Sequence, residues 1–168
     1  MRDEGLGPDE TYDIAIIGSG IAGSMLSMIL ARNSAKVLLL DQSSHPKFAI
    51  GESTIPNMLV SLRTMSERYD VPELRTMATL NNAQRIISPW HGTKNHFAFL
   101  QHEEGKNQDP ANLNMYNFAK LLHPTAHLYR QDVDSYLFRT AVQYGATARQ
   151  NFSIQSVDFD DDGVTISS

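Results

Sequence analysis

Three glycines and one acid carry the first chemical signal in this chain. Gly18, Gly20 and Gly23 stand in Gly18-Ser19-Gly20-Ile21-Ala22-Gly23, directly after the run Tyr12-Asp13-Ile14-Ala15-Ile16-Ile17. Asp41 closes a second apolar run, Val37-Leu38-Leu39-Leu40, 18 residues beyond Gly23. That spacing suits a dinucleotide. The first glycine permits a tight turn, the second lets the backbone approach a pyrophosphate, and the third lets helix and strand pack closely. Amide N–H groups at the start of the following helix, around Ile21 and Ala22, favour phosphate charge. A carboxylate at position 41, with Gln42 beside it, can accept hydrogen bonds from both hydroxyls of an adenosine ribose. An acid there, rather than an arginine, argues against a 2′-phosphate, so FAD and NAD remain and NADP is not expected.

Further along the chain, Gly51-Glu52-Ser53-Thr54-Ile55-Pro56-Asn57 places a glycine and small hydroxyl residues where backbone N–H groups can approach a planar ring or an anion. The same residues also suit a glycine turn with Ser53 or Thr54 as a helix N-cap. Arg130 ends an expected strand and precedes a helix, so its guanidinium could reach a pyrophosphate or a flavin edge. The alternative for it is a surface ion pair with Asp132 or Asp134, and Asp134 is expected to cap or pair locally. Lys94 follows Gly92 and precedes the stretch His96 to Leu100. A desolvated lysine has a lowered pKa, and its neutral amine can take up an electrophile or hydrogen-bond to it. Lys47, Lys106 and Lys120 lie in polar or loop contexts and rank below Lys94. The six histidines lack the paired spacing of a metal-binding helix, so no metal is expected. Trp90 and Phe97 are candidates for an aromatic pocket or for the core.

The elements that must position these groups follow from periodicity. Residues 1–11 read as a flexible tail and 12–168 as one domain. Strands are expected at 12–17 and 36–40, the second apolar throughout, as in a parallel strand buried on both faces. Helices are expected at 21–33, from Asn57 to about Tyr69, from Val71 to Leu80, and from Gln131 to Gly145, with Val133, Tyr136, Leu137, Ala141 and Val142 at helical spacing. Arg85 to Gln101 reads as two extended segments around His91-Gly92-Thr93-Lys94, 103–114 as a polar loop, and His127 to Arg130 as a short strand. Ala146 to Asn151, Ser153 to Phe159 and Val164 to Ser168 read as strands, the last two joined by a hairpin turn at Asp160-Asp161-Asp162-Gly163.

With 168 residues the chain can build one domain with its own core. A net charge of −5 without a basic run argues against nucleic-acid binding. The absence of cysteine removes disulfides and thiolate catalysis from consideration. No apolar run reaches the length of a membrane span, and the acidic start is unlike a signal peptide, so a cytoplasmic location without membrane attachment is expected. The chain stops in or just after a strand, with no closing helix and no second glycine-acid motif. That is the arrangement expected of the N-terminal part of a larger protein, truncated before its substrate domain.

Three blocks together resemble the flavoproteins of the aromatic hydroxylase type and, within them, the flavin-dependent halogenases. They are Gly18 to Gly23, the segment Gly51-Glu52-Ser53-Thr54-Ile55-Pro56, which is similar to the halogenase G-E-[SA]-T-x-P motif, and Arg130-Gln131-Asp132-Val133-Asp134-Ser135-Tyr136-Leu137, which is similar to an R-x-x-[FL]-D-x-x-L segment of the wider group. The resemblance implies an α/β fold, a Rossmann-like FAD-binding domain with a parallel sheet and β-strand insertions, of the glutathione reductase and p-hydroxybenzoate hydroxylase type. It implies FAD contacts at Gly18, Ser19, Gly20, Ile21, Ala22, Gly23, Asp41, Gln42, Gly51, Glu52, Ser53, Thr54 and Arg130. It further implies reduced FAD delivered by a separate flavin reductase, dioxygen, a halide ion oxidised to hypohalous acid, and a catalytic lysine beside an aromatic or heteroaromatic substrate of secondary metabolism, free or tethered to a carrier protein. Lys94 is the candidate for that lysine, although Thr93-Lys94-Asn95 departs from the Phe-Lys pair of the tryptophan halogenases. The family's W-x-W-x-I-P run is not in this chain. Two other enzyme classes share the fold: an FAD monooxygenase transferring oxygen directly, and a geranylgeranyl reductase-like oxidoreductase. A non-catalytic FAD-binding remnant is the remaining alternative.

Overall fold

A computed structural model describes residues 10–117, 125–161 and 163–168. Residues 1–9 of the tail expected over 1–11, together with Lys120, His123 and Asp162, lie outside the described residues. The chain forms two compact units. One takes in the chain up to Ala49 with Tyr69–Val71 and Gln131–Ser168, and the other takes in Ile50–Arg68 and Pro72–Arg130.

The first unit is built on a parallel sheet. β1 (Ile14–Ile17) leads through the glycine turn into α1 (Ile21–Arg32), and α1 returns the chain to β2 (Val37–Leu40). β2 pairs in parallel with β1 on one side and with β7 (Thr147–Arg149) on the other, giving the order β1-β2-β7. All four β2 residues are buried, as the unbroken Val-Leu-Leu-Leu run requires of a central parallel strand. Removing Leu39 and Leu40 from water contributes roughly 1.5–3 kcal/mol each. Ser24, Ser27 and Met28 are the buried face of α1, and its small residues let it lie close to β2. α4 (Arg130–Gln143) buries Val133, Leu137 and Ala141, spaced one helical turn apart, with Phe138 beside them. An antiparallel hairpin of β8 (Ser156–Asp160) and β9 (Gly163–Ser167) completes this unit.

The second unit holds α2 (Pro56–Tyr69, through Arg68), a 3-10 helix at Pro72–Ala78, a short α3 (Leu80–Asn82) and a π turn at Ala83–Ile87. Two antiparallel pairs follow: β3 (Gly92–Lys94) with β6 (Thr125–His127), and β4 (His96–Phe99) with β5 (Asn114–Asn117). Its core gathers Leu62, Leu74, Met77, Ala83, Ala126 and Leu128.

The α/β reading and the strands and helices around the glycine turn agree with expectation. Five readings need correction. The helix expected from Val71 to Leu80 is a 3-10 helix, and Asn81-Asn82 does not end the helical path. Thr79 breaks and restarts it, its hydroxyl accepting from the Asn82 amide. Arg85 is therefore helical, and the extended chain expected from there begins only at Gly92. The polar 103–114 loop contains a 3-10 turn at Pro110–Asn112 started by Asp109, whose carboxylate caps the Ala111 amide. The strand read at His127 to Arg130 lies earlier, at Thr125–His127, because the helix already starts at Arg130. Trp90 is 74 % exposed and belongs to no core.

Candidate functional site

In the first unit the glycine turn has the geometry its sequence called for. Gly18 takes φ +101°, a left-handed conformation open to glycine, and its amide donates to the Leu40 carbonyl at 2.7 Å, tying the turn to β2. A Cβ on Gly23 would stand 1.8 Å from the Gly18 carbonyl oxygen and 3.3 Å from Ile16 Cγ2, so only glycine lets α1 begin this close to the turn. Gly20 is the N-cap of α1 in an extended conformation and offers no side chain to cap it, and the first turn carries no acid. The amides there, including those of Ile21 and Ala22, leave a positive helix end open to phosphate charge.

A cleft of about 440 Å³ opens at the carboxyl ends of β1 and β2, with Ile17, Gly18, Asp41, Gln42, Lys47 and Phe152 in its wall. Ligands of open α/β sheets bind at this end of the strands. Asp41 is buried and already engaged. Its Oδ2 accepts from the Ser19 amide at 2.7 Å and the Ser19 hydroxyl at 2.8 Å, Lys47 Nζ forms an ion pair with it, and Oδ1 accepts from the Ser43 amide at 2.9 Å. Burial alone would raise its pKa. The Lys47 ammonium, the Ser19 and Ser43 amides and the Ser19 hydroxyl outweigh burial and hold the carboxyl well below the usual carboxylate range. Ser19 was expected among the ligand contacts, but its amide and hydroxyl are spent on Asp41. Ser19 therefore positions the acid. Lys47, ranked low as a lysine in a loop, is the residue the sequence reading undervalued. Its position six residues after Asp41, on the loop leaving β2, was the available signal.

His45 completes this cluster. Its Nε2 lies 3.0 Å from the Ser19 carbonyl and 2.8 Å from the Ser19 hydroxyl oxygen. The carbonyl can only accept, and the hydroxyl gives its proton to Asp41, so the ring is the Nε2–H tautomer donating to both. Nδ1 is buried without a partner, and the ring packs on Phe138 at 4.9 Å. Burial, then the nearby Lys47 charge, lowers the His45 pKa below the ordinary 6.5. The folded state therefore resists a proton that the unfolded chain accepts, and stability falls as pH drops through about 6.5. The Asp41 contribution is lost only further down, below about pH 4. Thermal unfolding between pH 7 and pH 5 is expected to show a falling midpoint in the parent chain. The fall is expected to be shallower in His45→Gln, which keeps a donor in place of Nε2–H but cannot be protonated. Equal slopes for the two would contradict this assignment.

In the second unit the segment Gly51 to Thr54 is laid as an extra strand along residues 126–128. The Leu128 amide donates to the Glu52 carbonyl at 2.7 Å, Ser53 bridges His127, and the Thr54 amide and hydroxyl both donate to the Ala126 carbonyl, at 3.1 and 2.7 Å. Neither Ser53 nor Thr54 caps α2. The Thr54 N–H is already spent on Ala126, so an approach of a ring or anion to this segment falls to Gly51, Glu52 and Ser53, all exposed. Gly51 sits at φ +91°, and Arg130 Nη1 donates to the Ile50 carbonyl at 2.7 Å and to that of Gly51 at 3.4 Å. Arg130 thus fixes the entry to this segment.

Lys94 lies beneath it. The residue is 5 % exposed, its Nζ donates to the Thr54 carbonyl at 2.8 Å, and the ammonium stands 3.2 Å from the centroid of the Phe97 ring. Thr125 Oγ1 donates to the Lys94 carbonyl at 3.3 Å, which holds the backbone of β3 in place. Burial lowers the Lys94 pKa, enlarging the fraction of neutral amine. Its partners are a carbonyl and a ring face rather than a carboxylate. No helix among the described residues is long and apolar enough to cross a membrane.

The comparisons with known proteins fall on these same segments. The profile of the family described as tryptophan halogenase matches residues 13–121. The tetracycline 7-halogenase of Kitasatospora aureofaciens is 44 % identical over 159 residues, covering 95 % of this chain and 29 % of that protein. The monodechloroaminopyrrolnitrin halogenase PrnC of Pseudomonas fluorescens is 36 % identical, covering 92 % of this chain and 28 % of that protein. The crystal structure of halogenase PltM in complex with phloroglucinol and FAD superposes with a TM-score of 0.82 at 36 % identity, over 94 % of this chain and 31 % of that one. The chain spans under a third of the length of these relatives.

Proposed function

The chain belongs to the tryptophan halogenase family, and from that premise we propose that it supplies the FAD-binding part and the catalytic lysine of a flavin-dependent halogenase. The site residues fit FAD. The turn from Gly18 to Gly23 and the helix end at Ile21 and Ala22 receive the pyrophosphate, and Asp41 and Gln42 in the cleft receive the adenosine ribose. Lys47, paired with Asp41 in the cleft wall, would stand beside that ribose with its positive charge. The segment Gly51-Glu52-Ser53, fixed by Arg130, contacts the flavin. When bound and reduced, FAD supplies the dioxygen chemistry that oxidises halide to hypohalous acid.

The observation that carries this reading is the Lys94 amine, buried, placed over Phe97 and held on the Thr54 carbonyl of the motif segment. Its neutral form has a lone pair free while one N–H remains on Thr54. That lone pair takes the halogen or accepts a hydrogen bond from hypohalous acid, and an electron-rich ring then receives the halogen. We assign the substrate to free phenol-like aromatics. The relatives sharing 44 % and 36 % identity are named for small molecules, and PltM is crystallised with phloroglucinol, a phenol. A relative named for a carrier-bound pyrrole shares only 27 %. Reduced FAD comes from a separate flavin reductase in the cytoplasm.

The test is the protein with FAD, a flavin reductase, NADH, dioxygen, bromide and phloroglucinol, read by mass spectrometry. A reductase-dependent product with the bromine isotope doublet supports the reading. A product heavier by one oxygen, formed equally without bromide, would replace it with a monooxygenase.

A further inference from the structure

The second unit holds a small pocket lined in part by two methionines. It offers the centre of a water-sized molecule about 20 Å³ and is walled by Thr54, Thr125, Met58 and Met77 among others. Space above roughly 10–15 Å³ by this measure is room for one water. The two threonines are the residues that hydrogen-bond Lys94, through the Thr54 carbonyl and the Thr125 hydroxyl. The remaining wall is mostly apolar, which suits a small neutral guest better than an ion. Met77 is 3 % exposed and Met58 half-buried, so neither is open to oxidants from bulk water in the way Met115, 60 % exposed, is.

We propose that Met58 and Met77 form an oxidation site for hypohalous acid that escapes Lys94 without meeting an aromatic ring, and that their conversion to sulfoxide inactivates the enzyme. The proposal rests on the halogenase reading above. The thioether sulfur attacks the halogen, and a sulfur–halogen bond forms as the halogen–oxygen bond breaks and hydroxide leaves. Water then displaces halide from sulfur, giving the sulfoxide. In sum, thioether and hypohalous acid become sulfoxide, halide and one proton, with sulfur losing two electrons and the halogen gaining them. A sulfoxide is polar and rigid where a thioether was soft and apolar. In this wall it would disturb the packing under Thr54 and with it the seat of Lys94.

The experiment runs the protein with FAD, reductase, NADH, dioxygen and bromide while the aromatic substrate is withheld, and follows each methionine by peptide mass spectrometry. A parallel sample receives hypobromous acid from outside, and a third receives phloroglucinol to report product. Under turnover, sulfoxide is expected at Met58 and Met77 severalfold faster than at Met115, only with bromide present. With added reagent the order is expected to reverse. The double variant M58L/M77L, close in volume to the parent, is expected to complete severalfold more turnovers before activity decays. Brominated product with Met58 and Met77 unmodified, or with Met115 oxidised first, overturns this inference and leaves the halogenase reading standing. Absence of both product and sulfoxide overturns the two together.

Discussion

Lys94→Ala is expected to abolish halogenated product while FAD binding and consumption of reduced flavin continue. The loss should be about 10²–10⁴-fold in product rate, the range that a positioned proton-transfer or nucleophilic group contributes. The change removes the ammonium from the Thr54 carbonyl, a charge-assisted hydrogen bond worth roughly 1.5–3 kcal/mol, so a fall in stability is expected as well, and continued flavin oxidation separates it from the activity loss. Lys94→Arg separates the two roles of the side chain. It keeps a buried cation and a donor toward Thr54, yet arginine does not lose its proton in proteins. If the neutral amine matters, the arginine variant is as inactive as the alanine one. If hydrogen-bond donation suffices, it recovers much of the rate. Steady-state product formation, with flavin oxidation measured in parallel, checks both.

Gly23→Ala is expected to remove FAD binding. A single methyl group would sit 1.8 Å from the Gly18 carbonyl oxygen, a backbone atom with no rotamer to escape into. Either α1 withdraws from β1 or the Gly18 turn opens, and both moves carry the first-turn amides away from the pyrophosphate. The cost exceeds the usual 1–3 kcal/mol of an overpacked site, because backbone rather than side chain must yield. The expected result is a lower unfolding midpoint together with loss of retained FAD. A variant that binds FAD normally would contradict the assignment of the turn.

The glycine turn and the lysine site are written in different kinds of sequence information. The glycine turn was legible because each glycine answers a local demand, a positive φ at Gly18 and a missing Cβ at Gly23, and neither needs knowledge of distant residues. The β2 strand was legible from its unbroken apolar run alone. The segment Gly51 to Thr54 was recognised as special, but its conformation was not, because its hydrogen bonds go to residues 126–128, more than seventy positions away. The same holds for Lys94. Its position before an apolar strand suggested a pocket, while its partner Thr54 lies forty residues earlier. Helix breaks within residues 72–87 escaped notice because they depend on one threonine cap and on a π turn, which periodicity does not mark. Lys47 was undervalued since a lysine in a polar loop looks solvated until its distance to a buried acid is known.

The central claim is that halogen reaches substrate by way of Lys94 and not as hypohalous acid free in solution. The measurement that tests it most directly is product yield against rising concentrations of added free methionine, in the parent protein and in Lys94→Ala. Free methionine intercepts any oxidant that leaves the protein. The account predicts that the parent yield stays level under a large excess of methionine, while whatever product the variant forms disappears. A parent yield that falls along the same curve as the variant would contradict the account.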